Sequence, residues 1–205
     1  MHSFKNFKFA ALAFATALTT LSAPAALAAE GVRVRGTVAS VDGDKLVVKS
    51  REGNDVSVKL NPGWKVGGIA KARLADIKPG DFVGIASLPT AGGDGALEVL
   101  IFPPAMRGTG EGSYGWDLKP NSTMTNGAVS EAVQSVDGTT VNVVYHGQSR
   151  KITVTPSTPI VTFAPAVNAD LKPGAAVFVP AQRADDGKLS AGQVVVGKDG
   201  VVPPM

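Results

Sequence analysis

The sequence has no cysteine, little charge and few aromatic residues. Without cysteine there is no disulfide framework, no cysteine-bound zinc or iron–sulfur cluster and no thiol nucleophile. Charged residues make up 18% of the 205 residues, and the formal net charge is +3. This balance excludes an acidic or basic disordered tail protein. It also provides no basic, aromatic-rich surface for nucleic acid, which we exclude as a partner.

Long hydrophobic runs are absent after residue 28, so we predict no membrane span there. The one pronounced apolar run, 9–21, follows Lys5 and Lys8 and precedes a stretch of small residues. This order is typical of a signal peptide, and 26–28 (ALA) fits the small-x-small cleavage pattern. We therefore predict a signal peptide over 1–28, a mature chain that starts at Ala29, and a periplasmic location. The alternative, an uncleaved membrane anchor, requires about 20 apolar residues, more than the run supplies.

Three short motifs occur twice along the rest of the chain, in the same order and at nearly constant spacing. The pairs are SVDG at 40–43 and 135–138, ADIKPG at 75–80 with ADLKPG at 169–174, and DGAL at 94–97 with DGKL at 186–189. Repetition of this kind predicts an internal duplication of a unit of about 70 residues.

Each unit has the pattern of short β-strands. Val32 and Val34 alternate with Arg33 and Arg35, which is typical of a half-buried strand. The Asp-Gly pair at 42–43 and its repeat favour tight hairpins. Residues 69–76 (IAKARLAD) are expected to form one or two helical turns.

The predicted fold class is therefore all-β, with two tandem small OB-like β-barrels joined by an ordered Gly/Pro-rich segment. The predicted divisions are the signal peptide 1–28, a first barrel 29–103, a connecting segment 104–125, and a second barrel with a C-terminal tail 126–205.

The segment between the repeats carries aromatic residues among its glycines. Tyr114 and Trp116 stand beside Glu111 and Asp117. A phosphate-binding loop is disfavoured, because no Gly-Lys-Ser/Thr follows the glycines and no helix begins after them. A passive linker would need no buried tryptophan, so we expect Trp116 to pack against a barrel. The surface formed by these four residues is the candidate site for a ligand or partner.

Residues suited to catalysis or metal binding are scarce. His146 is the one histidine after residue 28, and it is expected on the surface near a hairpin end. Alone it cannot hold zinc or copper. Met106 and Met124 could bind Cu(I) but do not form a Met-rich motif, so we predict that they pack. No hydrolase, zinc-protease or nucleotide-binding motif occurs. We predict no enzyme, no cofactor and no metal site.

The repeat motifs resemble the DUF5666 type of small exported bacterial β domain. The resemblance covers residues 32–102 and 127–197, and the second unit departs from it at Ala175, where the first has Asp81. It implies a domain family without an established activity and supplies no functional residues. The whole chain, including RGTGEGSYGWDLKP, also resembles exported alphaproteobacterial proteins that automated naming calls "metal ABC transporter permease". That name conflicts with a chain lacking spanning helices and would at most imply a partner in metal uptake.

The sequence thus predicts a non-catalytic periplasmic binding or adaptor protein whose partner is an unidentified protein or small ligand. One alternative is an accessory protein of a metal ABC transport system, with a transporter component as its partner. A second alternative is an enzyme that uses carboxylates in the cleft between the barrels.

Overall fold

The computed structural model describes residues 30–135 and 138–203. The predicted signal peptide and mature start at Ala29 lie outside the described residues, as do Val136 and Asp137 of the second SVDG motif. The described chain is all-β, as predicted. Its strands are β1 (Glu30–Asp42), β2 (Lys45–Ser50), β3 (Asp55–Lys71), β4 (Phe82–Thr90), β5 (Gly93–Phe102), β6 (Gly112–Trp116), β7 (Ser122–Ser135), β8 (Gly138–Tyr145), β9 (Gln148–Val154), β10 (Ile160–Ala164), β11 (Ala176–Arg183) and β12 (Leu189–Gly197). Short 3-10 helices lie at Leu74–Asp76, Pro104–Met106 and Asn168–Asp170.

Five strands close into a barrel, here called the first ring: β1, β2, β3, β12 and β11. Strand β1 pairs antiparallel with β2 and β11. The β2–β3 and β11–β12 pairs are also antiparallel. The ring closes because β12 runs parallel to β3, from Leu189 opposite Val58 to Gly197 opposite Ile69.

A second ring has the same pattern of pairings and contains β7, β8, β9, β5 and β4. Strand β7 pairs antiparallel with β8 and β4, and the β8–β9 and β4–β5 pairs are antiparallel as well. The ring closes where β5 runs parallel to β9, with Asp94 opposite Ile152 and Gly95 opposite Thr153.

Each ring takes strands from both halves of the sequence. Strands β1–β3 are closed by β11 and β12, and β7–β9 are closed by β4 and β5. The predicted boundaries 29–103 and 126–205 therefore do not enclose separate rings. The physical reason is the length of β3, whose 17 residues carry the chain from the first ring to the start of the second. Strand β10 joins the rings by pairing with both β3 and β5.

The prediction of helical turns over 69–76 is wrong for residues 69–71. Strand β3 continues to Lys71, and only Leu74–Asp76 forms one 3-10 turn. Ile69 is fully buried and lies opposite Phe163 of β10 and Gly197 of β12. Strand partners on both sides take up the backbone groups of this segment and override its local helical tendency.

The two Lys-Pro-Gly motifs make equivalent contacts with the opposite half of the chain. Turn 174–175 exchanges backbone hydrogen bonds with Val38 of β1, both at 2.8 Å. Turn 80–81 does the same with Val129 of β7, again at 2.8 Å. Both strands carry a register shift next to the bonded valine. Each motif thus anchors the pair of strands that closes the other half's ring.

The described residues form three apolar clusters. One lies inside the first ring and one inside the second. The third lies between the rings and contains Ile69, Leu100, Val161, Phe178 and Val195. Phe102 and Phe163 pack on this third cluster with ring centroids 5.7 Å apart. Burial of the third cluster ties the two rings together.

The connecting segment contributes β6, which pairs antiparallel with β7 from Gly112 opposite Asn126 to Trp116 opposite Ser122. Strand β4 pairs with the other edge of the same part of β7. The segment therefore has a fixed place on the second ring.

Candidate functional site

Trp116 at the end of β6 packs against the first ring. The guanidinium carbon of Arg33 lies 3.9 Å from the centre of the indole ring, and that of Arg35 lies at 5.8 Å. Both arginines belong to β1. Tyr114 packs on the indole edge-on, with centroids 6.1 Å apart. Strand β6 therefore bridges the two rings, and the expected packing of Trp116 against a barrel is confirmed.

Asp117 fixes the two arginines beside the indole. Its carboxylate accepts hydrogen bonds from both terminal nitrogens of Arg35, at 2.8 and 3.1 Å, and lies 3.6 Å from Arg33. Burial raises the pKa of Asp117, but its hydrogen bond with Arg35 and the charges of Arg35 and Arg33 outweigh this effect. The pKa of Asp117 is therefore lowered, and the group is ionised at neutral pH.

Tyr114 and Glu111, the other two predicted site residues, point to different places. The hydroxyl of Tyr114 accepts a long hydrogen bond from Asn126 Nδ2 at 3.4 Å, and burial raises the pKa of Tyr114. Glu111 Oε1 accepts a hydrogen bond from the backbone N–H of His146 at 3.1 Å. Tyr114, Trp116 and Asp117 are brought together, whereas Glu111 holds the β8–β9 hairpin.

A cavity of about 90 Å³ lies between the rings, under β6. Its floor is the outer face of the second ring, Trp116 and Tyr114 cover it, and Phe178 of the first ring contributes a wall. The lining residues are Gly84, Glu98, Leu100, Phe102, Tyr114, Trp116, Met124, Asn126 and Phe178. The surroundings are largely aromatic and apolar, which makes every polar group in the wall significant.

Glu98 is the residue that sequence reasoning missed. It lies on β5 opposite Ala86 and is 4% exposed, and its Oε1 has no hydrogen-bond partner. Burial raises its pKa to about 7; the charges of Arg35 and Arg51 lower it, and Asp117 raises it. The sequence of β5 does contain a sign of this burial. In the period-two alternation of a strand, Glu98 lies on the same face as Leu100 and Phe102. A carboxylate on an apolar face of a buried strand is rare unless it is paired or functional.

Two more buried polar atoms of the lining residues have no hydrogen-bond partner. They are Nε1 of Trp116 and Oδ1 of Asn126. The amide of Asn126 needs the absence of a side chain at Gly84, because a Cβ there would lie 2.7 Å from Oδ1. Native structures pair nearly all buried polar groups. Three unpaired ones among the residues of one small cavity therefore distinguish it from ordinary packing.

The remaining candidate ligands lie apart. His146 is exposed, as predicted, in the two-residue turn between β8 and β9, where its φ is 43°. Met124 is buried and lines the cavity, while Met106 ends the 3-10 helix Pro104–Met106.

Within residues 30–135 and 138–203, no three His, Cys, Asp or Glu side chains lie close enough to hold a metal ion. No helix in the same part of the chain is long and apolar enough to cross a membrane.

Comparison with known proteins gives no relative: no protein family, curated protein or solved structure matches this chain. The resemblance to the DUF5666 type therefore stays a prediction.

Proposed function

We propose that the protein is a non-catalytic binding protein and that the cavity under β6 is its ligand site. The observation that carries this proposal is the set of three buried, unpartnered polar atoms on Glu98, Trp116 and Asn126. Each unpaired group of this kind costs about 1–3 kcal/mol. A ligand that hydrogen-bonds to these atoms offsets that cost. A polar ligand therefore gains more binding free energy here than it would in a purely apolar cavity.

The volume restricts the ligand to a small molecule. Pockets for drug-sized ligands hold roughly 300–1,000 Å³, against about 90 Å³ here. A water molecule takes about 30 Å³, and a cavity of about 150 Å³ holds benzene. The guest is therefore smaller than benzene, or it is the end of a longer ligand that enters beside β6.

A fragment screen tests the proposal. Small polar compounds are screened for their effect on the melting temperature of the wild-type chain and of Gly84→Ala. The added methyl group displaces Asn126 Oδ1, so hits should bind this variant at least tenfold more weakly. Gly31→Ala is the matched control, because a Cβ at Gly31 meets nothing within 4 Å. Hits that bind all three proteins equally, or no hits at all, would contradict a ligand site here.

One observation favours an enzyme as the second candidate. Glu98 and Asp117 have pKa values shifted in opposite directions, a split that is typical of an acid–base pair. The volume of the cavity argues against it, because a substrate with a leaving group needs more room. Turnover of small esters or amides that disappears in Glu98→Gln would establish catalysis.

The proposed location is the periplasm, which rests on residues 1–28 alone. Mass spectrometry of protein from a periplasmic extract should find an N-terminus at Ala29. A role beside a metal transporter has no support from the contacts of the described residues.

We also propose that the chain is an internal duplication of an OB-like unit whose two copies exchange their last two strands. Two features support this: the repeated motifs and the equivalent pairings of the rings. The contacts of turns 80–81 and 174–175 with Val129 and Val38 follow the same pattern. With the last two strands exchanged, neither copy closes a ring from its own strands. The cavity is lined by residues of both copies, so it forms only where the copies meet.

A further inference from the structure

Among the described residues, no Lys, Arg or His side chain forms a direct ion pair with Glu98. Asp117 engages Arg35 through two hydrogen bonds and lies near Arg33, so one acidic group already holds the two arginines next to the cavity. Glu98 Oε1 keeps no hydrogen-bond donor. An ionised carboxylate in such a place requires a positive partner.

The walls around Glu98 suit a positive guest. Trp116, Phe102 and Phe178 line the cavity, and aromatic rings attract cations most strongly where water is excluded. Two of these rings already hold cations, because Arg33 and Arg35 lie over Trp116 and Arg35 lies 5.4 Å from the centre of Phe178. Two of the three unpaired atoms, on Glu98 and Asn126, are oxygens that accept hydrogen bonds. The third, the indole N–H, can donate to a hydroxyl or carbonyl on the guest.

We propose that the cavity binds a small organic ammonium ion, with the carboxylate of Glu98 as its counter-charge and the aromatic rings around its carbon atoms. This inference rests on the proposed binding function and specifies the chemistry of the ligand. An ammonium group supplies up to three donors to the two acceptors, in a volume that excludes larger cations. An anion would instead meet two unpaired oxygens.

Binding of the cation is coupled to release of a proton. Without ligand, burial raises the pKa of Glu98 to about 7. The ammonium ion keeps its own protons in this range, as a lysine side chain does. Protonated Glu98 loses its proton to solvent, and the carboxylate formed pairs with the ammonium ion. The other charged groups that act on Glu98 are Arg35 from β1, Arg51 after β2 and Asp117 after β6.

The experiment follows the indole N–H signals of the full chain, labelled with ¹⁵N, by NMR. Trp64 and Trp116 give the two indole signals, which Trp64→Phe assigns. Ethylammonium chloride is the probe, and acetamide and sodium acetate are the neutral and anionic probes of similar size. We expect ethylammonium to shift the Trp116 signal and not that of Trp64, with a Kd on the order of millimolar for so few atoms.

Two comparisons make the result specific. The affinity for ethylammonium should fall about tenfold per pH unit below 7 and level off above it. Glu98→Gln should weaken binding at least tenfold at pH 8, while Glu131→Gln, at an exposed position on β7, should leave it unchanged. If Glu98→Gln does not fold, the pH dependence of the wild-type chain decides alone.

The outcomes separate this inference from the proposed function. Saturable binding of acetamide or acetate without ethylammonium overturns the ammonium inference and keeps the binding function. Ethylammonium binding that is independent of pH and of Glu98 overturns it as well. If none of the three probes binds, the inference is wrong, and fragment hits that weaken with Gly84→Ala decide whether the cavity binds another class of ligand. If neither the three probes nor any fragment binds in the cavity, the cavity holds water only, and the proposed binding function is wrong as well.

Discussion

Glu98 has an unusual position because it is a buried glutamate whose Oε1 has no hydrogen-bond partner, in a wall that is largely apolar and aromatic. Its neighbours Leu100 and Phe102 on the same face of β5 belong to the packing between the rings. The carboxyl group is therefore kept from water by the packing between the two rings, and not by its own strand. Its protonation has consequences for stability that can be measured without knowing the ligand.

We expect the stability of the protein to fall as the pH rises from about 4.5 to 7. In the unfolded chain Glu98 loses its proton near its ordinary pKa of 4.5, and in the folded chain it does so at about 7. Between these values the folded state holds one more proton, so removing protons favours unfolding, by on the order of 3 kcal/mol in total. Urea unfolding at several pH values measures this. Glu98→Gln should remove the pH-dependent loss, and an unchanged slope would contradict the assignment.

Asp117→Asn should lower this transition to a more acidic pH. The negative charge of Asp117 raises the pKa of Glu98, so its removal should lower that pKa. The variant should lose about 1–3 kcal/mol of stability, because the hydrogen bonds to Arg35 lose their charge assistance. Asp185→Asn, at an exposed position, is the matched control. A transition that stays near pH 7 would show that Asp117 does not act on Glu98.

At the scale of elements, β6 is short but connects both rings. It pairs with β7 on one side and places Trp116 against Arg33 and Arg35 of β1 on the other. Its five residues would not form a stable strand alone. The contacts of its side chains with the first ring hold it over the cavity.

Trp116→Ala should lower the melting temperature and weaken the coupling between the rings. Truncation of a large, half-buried aromatic residue costs about 2 kcal/mol or more. Hydrogen exchange of the β6 and β7 amides should increase more than that of β8 and β9. Tyr145→Ala provides a control on a half-buried aromatic side chain away from β6. Equal protection of β6 in wild type and variant would show that Trp116 does not hold the strand.

In the whole molecule, each ring contains strands from both halves of the chain, and this changes what a break in the chain can do. A protease cut between Arg107 and Lys119 would leave β1–β5 in one fragment and β7–β12 in the other. Each ring contains strands of both fragments, through the β1–β11, β3–β12, β4–β7 and β5–β9 pairs. Separation would therefore require the pairings of both rings to break.

We expect a chain that has been cut in this segment to stay together in native buffer. Size-exclusion chromatography should give one peak at the position of the intact protein, and two fragments should appear only in denaturant. Co-expressed fragments 30–111 and 112–205 should likewise copurify, and neither should fold alone. Release of two stable halves would show that each half closes its own barrel.

The sequence was enough to predict the all-β class, because alternation and turn residues are local properties of each strand and its ends. It also identified the segment around Trp116, since a tryptophan has little reason to lie in a passive linker. Glu98 carried a weak signal in the pattern of β5. Its burial could not be read from that pattern, because the face it shares with Leu100 is covered by a distant part of the chain.

The choice of strands that close each ring depends on the fold as a whole. Repeated sequences offer each set of three strands two nearly equivalent closing pairs, its own and that of the other half, and local patterns do not distinguish them. The choice depends on β3 running on to Lys71, which its pairing with β10 and β12 stabilises. Those contacts join residues far apart in sequence. The cavity depends on the same contacts, because it forms where the outer face of one ring meets β6 and the other ring.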